Sequence, residues 1–86
     1  MKHAGPAVLD SIEPLLAQLR ALPGLKEKSR GSFYWKSRGF LHFHEDPKGL
    51  FADIRLADGS DFERLEVTSD AGKTALLDLA RARLSA

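Results

Sequence analysis

Between Ser32 and Val67 three short turn sequences, Ser37-Arg38-Gly39, Asp46-Pro47-Lys48-Gly49 and Asp58-Gly59, divide the chain into four runs. In each run aromatic and branched residues recur at every second position. Period two over a few residues, bounded by turn formers, specifies strands. Connections this short leave no room for a crossover, so consecutive strands must be antiparallel neighbours. The pattern predicts a four-stranded meander with strands at about Ser32–Lys36, Phe40–Glu45, Leu50–Leu56 and Phe62–Val67.

The flanks carry helical spacing instead. Ile12, Leu15, Leu16, Leu19 and Leu22 form one apolar stripe, predicting a helix over roughly Val8–Ala21. Pro14 fits if Asp10 or Ser11 caps that helix; otherwise it kinks a longer one begun near Pro6. Leu22-Pro23-Gly24 ends the helix, and Leu25–Arg30 reads as a charged connector or short edge strand. Thr68 or Ser69 can cap a second helix over about Asp70–Leu84, with Leu76, Leu77, Ala80 and Leu84 on one side and Arg81 and Arg83 near its negative end. With 86 residues the chain supports one core. The expected architecture is therefore a single α+β domain in the order α-β-β-β-β-α, with both helices on one sheet face and residues 1–7 as a flexible lead.

Turn lengths also predict register. A four-residue second turn pairs Glu45 with Leu50, Phe43 with Ala52, His42 with Asp53 and Leu41 with Ile54. A two-residue third turn pairs Ala52 with Leu65, Asp53 with Arg64 and Arg55 with Phe62. One face then collects Leu41, Phe43, Leu50, Ala52, Ile54, Leu56, Leu65 and Val67 as the floor for the helices. The opposite face collects Phe40, His42, His44, Phe51, Asp53, Arg55, Phe62, Arg64 and Glu66, and a two-residue Ser37-Arg38 turn adds Phe33 and Trp35. A face this aromatic calls for a cover. The candidate binding surface is Trp35, Phe40, His42, His44, Phe51, Asp53, Arg55 and Arg64, and a second copy of the chain is one expected occupant.

The chain has no cysteine, so only oxygen and imidazole donors could hold a metal. His42-Phe43-His44-Glu45-Asp46 places two imidazoles about 7 Å apart on one side of a strand, and His42, His44 and Asp46 are the candidate ligands. The competing reading is structural, with His42 hydrogen-bonded across the strands to Asp53. No glycine-rich phosphate loop, paired carboxylates or activated nucleophile is evident. A non-enzymatic binding module is accordingly the leading expectation, with no cofactor, and an acid–base or metal-dependent enzyme centred on His42, His44, Asp46 and Asp53 is the rival.

Charge is uneven along the chain. Arg20–Arg38 holds six basic residues against Glu27 alone, whereas Glu45–Asp70 holds eight acidic residues against Lys48, Arg55 and Arg64. Lys26, Lys28, Arg30, Lys36 and Arg38 around Phe33-Tyr34-Trp35 make a candidate nucleic-acid backbone patch. No apolar run is long enough to span a membrane and no signal-peptide pattern is present, so the expected location is the cytoplasm.

The succession of Leu22-Pro23-Gly24, Trp35-Lys36-Ser37-Arg38-Gly39-Phe40 and Leu41-His42-Phe43-His44-Glu45-Asp46 resembles the MmcQ/YjbR-like family over roughly Ala21–Leu56. The resemblance implies an antiparallel sheet backed by helices and association with DNA through wing-like hairpins. It implies no catalytic residues. This chain departs from the family pattern where a further helix and an aromatic segment shrink to Ala57–Asp61.

Overall fold

The computed structural model describes residues 1–85. It is α+β, with three helices and six strands: β1 (Lys2–His3), α1 (Pro6–Ser11), α2 (Glu13–Arg20), β2 (Leu25–Ser29), β3 (Ser32–Trp35), β4 (Arg38–Asp46), β5 (Gly49–Arg55), β6 (Phe62–Glu66) and α3 (Asp70–Leu84). The sheet order is β2-β3-β4-β5-β6, all antiparallel, and β1 pairs with β4 beyond the end of β3. The sheet thus exceeds the expected four strands. Leu25–Ser29 forms a full edge strand. Residues 2–3, expected to belong to a flexible lead, lie in register with His44 and Glu45.

The first helix divides at Ile12. Its backbone (φ −116°, ψ 18°) leaves the helical region, and Pro14, at the start of α2, has no N–H to continue the ladder from α1. The stripe survives the break: Leu9, Ile12, Leu15, Leu16 and Leu19 are all buried. In α3 the Ser69 hydroxyl caps by accepting a hydrogen bond from the Gly72 N–H at 3.0 Å. Leu76, Leu77 and Ala80 from α3 join the α1–α2 stripe and Leu41, Phe43, Leu50, Ala52, Ile54 and Val67 of the sheet in one core.

Registers in the second half match the turn-length reasoning. Leu41 faces Ile54, His42 faces Asp53, Phe43 faces Ala52 and Glu45 faces Leu50; on the next pair Ala52 faces Leu65, Asp53 faces Arg64 and Arg55 faces Phe62. The first hairpin differs. Lys36 and Ser37 both have positive φ (53° and 67°), so they form the two-residue loop and Trp35 pairs with Arg38. Two successive left-handed residues match the twist of a hairpin. Phe33 then pairs with Leu41 and Tyr34 with Gly39, which leaves Phe40 as the extra residue of a bulge.

This shift moves three rings expected on the aromatic face. Phe33 is 1% and Phe40 2% exposed within the core, and Trp35 packs against that core with its ring edge-on to Phe40 at 5.9 Å. A bulge reverses the facing of every residue beyond it on one strand, and the loop one position earlier sets where that reversal falls.

Candidate functional site

The sheet face opposite the helices retains Tyr34 and Ser32 of β3, His42 and His44 of β4, Phe51, Asp53 and Arg55 of β5, and Phe62, Arg64 and Glu66 of β6. Six of the eight residues expected at the binding surface therefore lie together: His42, His44, Phe51, Asp53, Arg55 and Arg64. Trp35 and Phe40 do not.

At the centre of this face Asp53 is buried. Arg64 grips its carboxylate from across the strand pair, with Nε 2.7 Å from Oδ1 and one terminal nitrogen 2.8 Å from Oδ2. These paired hydrogen bonds hold the Asp53 carboxyl below its usual range, against the opposing effect of burial. Two imidazoles converge on the same carboxylate: Nε2 of His44 lies 3.1 Å and Nε2 of His42 3.5 Å from Oδ2. The His44 contact is close but misaligned for a hydrogen bond, leaving its Nε2 buried without a partner among the described residues. Burial, reinforced by the neighbouring His44, pushes His42 below the usual histidine range and favours its neutral form.

His3 lies beside these imidazoles. Its ring centroid lies 4.8 Å from that of His44 and 5.9 Å from that of His42, while His42 and His44 are 4.8 Å apart. All three histidines of the chain therefore meet at one place. The carboxylate with them is Asp53, whose ligand atom lies within 4.8 Å of those of His42 and His44. Asp46, the expected third ligand, instead accepts the Lys48 N–H at 3.0 Å and faces the terminal ammonium of Met1 at 3.5 Å. The hairpin turn holds it there, as an aspartate two residues ahead of an N–H commonly does.

His42 also packs edge-on to Phe62 at 5.2 Å, and the Arg55 guanidinium lies 4.5 Å from the centroid of the same ring. Arg55 donates to Gly39 O and Gly59 O, which fixes it as a tie between β4 and the β5–β6 loop.

The expected basic patch is rearranged. Arg30 is bound to Asp10 and Glu13 and belongs to the helical side. Arg38 donates to Gly59 O. Lys26, Lys28 and Lys36 have no ion-pair partner among the described residues, and they surround Tyr34 in a groove of about 210 Å³ completed by Gly24 and Ser37. The Lys28 ammonium lies 4.5 Å from the Tyr34 ring centroid and that of Lys36 4.6 Å from Trp35. On the other side of Tyr34 a recess of about 160 Å³ runs between Ser32, Gly39, His42 and His3.

Two contributors escape sequence reasoning. Tyr34 stands in the sequence as one ring of an aromatic run, and its role follows from pairing opposite Gly39, which leaves its ring without a neighbour on that strand. His3 is remote in sequence from His44, and only the β1–β4 pairing joins them. No family model, curated protein or solved structure matches the chain. No helix among the described residues is long and apolar enough to cross a membrane.

Proposed function

We propose that the chain is a non-enzymatic binding module that takes single-stranded nucleic acid along the β2–β3–β4 end of its open sheet face. The observation that supports this reading is the Lys28 ammonium poised over Tyr34 in a groove with three lysines and no acidic lining residue. An ammonium resting on a ring is easily displaced by a base, which stacks on the vacated ring while the lysine moves to the adjoining phosphate. Tyr34 divides the lysine groove from the recess at His42, so successive bases could occupy its two sides. The likeness to the MmcQ/YjbR-like family, whose implied partner is DNA, agrees in ligand class.

With Trp35, Phe33 and Phe40 in the core, self-association through this face has only Tyr34, Phe51 and Phe62 to draw on, each of them partly buried. Met1 is the only large hydrophobic side chain exposed among the described residues, whereas stable interfaces between copies draw on apolar area at their centre.

Fluorescence anisotropy with a labelled oligothymidylate and a labelled duplex, across a salt series, tests the proposal. The single strand should bind more tightly at low salt. A Lys26→Gln/Lys28→Gln/Lys36→Gln variant should lower the log–log salt slope by about 2, at ~0.7 per lost phosphate contact. Tyr34→Ala should weaken binding with the slope unchanged. No binding of either probe at low salt removes the proposal.

A further inference from the structure

We infer that His3, His42 and His44, with Asp53 as fourth donor, form a site for one divalent transition-metal ion of the borderline class, for which zinc is the reference. The inference does not rest on the nucleic-acid reading, although His3 and His42 also line the recess beside Tyr34.

Geometry carries it. A tetrahedral metal bound through imidazole nitrogens at about 2 Å holds the ring centroids roughly 5 Å apart. The three separations here are 4.8, 4.8 and 5.9 Å. Nε2 of His44 and of His42 lie 3.1 and 3.5 Å from one oxygen of Asp53, so two imidazole donors and a carboxylate are gathered within the span of one coordination sphere. The His44 nitrogen is buried and has no hydrogen-bond partner among the described residues. A buried ring nitrogen without a partner is costly, and coordination would satisfy it.

The donor set fixes the class of ion. Three imidazoles and one carboxylate suit zinc, copper(II), nickel(II) or cobalt(II), whereas calcium and magnesium require several more oxygen ligands. Asp53 can serve while still held by Arg64, because each carboxylate oxygen has a second lone pair. Arg64 then acts from behind the carboxylate, fixing its orientation.

The test uses untagged protein stripped with chelator and titrated with zinc chloride by calorimetry, and with cobalt(II) chloride by visible absorption. The expected result is one ion per chain and the intense visible bands of four-coordinate cobalt. His3→Ala and His42→Gln should each weaken zinc binding at least tenfold, with circular dichroism confirming that both variants fold. His3→Ala removes only a side chain near the terminus, so it reads the site even if the strand variant is unstable. Magnesium chloride should give no heat. Absence of zinc binding by the parent chain, or unchanged binding by folded His3→Ala, overturns the inference.

Discussion

Replacing Asp53 by asparagine removes the charge at the centre of the open face while keeping its volume, and the response of stability to pH separates two roles of that charge. Near neutral pH the loss is modest. Charge-assisted hydrogen bonds contribute about 1.5–3 kcal/mol when both partners are dry, but Arg64 is half exposed and can turn to water, and the substituted amide still offers one acceptor. A net cost of about 1 kcal/mol follows. The cost should then change with pH in opposite senses over two ranges. His42 is held below its usual value of 6.5 by burial, with Asp53 among the groups opposing that shift. A histidine with a lowered folded-state pKa contributes stability that is complete above its unfolded value and is lost as pH falls. Without the Asp53 charge the His42 pKa drops further, so the variant loses more than the parent as pH falls below 6.5, and the gap widens. Asp53 itself is held below its usual value of 3.8 by Arg64. Its contribution is complete above that value and disappears as pH falls through the folded-state pKa, so below about pH 4 the gap narrows again. Urea unfolding in chelator-containing buffer, followed by the fluorescence of the single tryptophan, Trp35, measures both limbs. A gap that nowhere widens as pH falls from 6.5 toward 3.8 would refute the coupling between Asp53 and His42.

Two further substitutions address packing. Phe40→Ala should cost about 3–5 kcal/mol, as expected of a fully buried ring, whereas Phe62→Ala should cost far less; comparable losses in urea melts would contradict the bulge that turns Phe40 inward. Gly72→Ala should destabilise by about 1–3 kcal/mol despite the better helix propensity of alanine, because the new Cβ would lie 2.5 Å from Glu66 O, which is backbone and has little freedom to withdraw; a raised melting temperature would show that the N-terminus of α3 shifts readily instead.

How far the sequence foretells this arrangement depends on which residues are considered. The registers of β4 with β5 and of β5 with β6 follow from turn length and alternation, because a slip of one residue would expose Phe43, Ala52 and Ile54 together. The β3–β4 loop falls one residue earlier than the expected Ser37-Arg38, since a Lys-Ser pair carries none of the asparagine or glycine signal usual for a left-handed loop. That displacement, together with a bulge that no residue type announces, is why Phe33, Trp35 and Phe40 leave the face on which alternation alone sets them. His42 and Asp53 can be paired in advance because they sit across one hairpin. The contribution of His3 cannot, because a two-residue strand has too few positions to show any period, and its pairing to β4 depends on the whole intervening fold.

The two outermost strands carry a further consequence. β2 ends the sheet with Lys26 and Lys28 pointing away from the core, and β6 ends it with Glu63, Arg64 and Glu66. Free strand edges invite other chains to add on, and charge along them is a common deterrent to fibre formation. Lys26 and Lys28 thus set charge along the β2 edge, where it disfavours such addition. Neutralising both lysines should therefore leave the β2 edge more open to strand addition and lower the solubility of the chain.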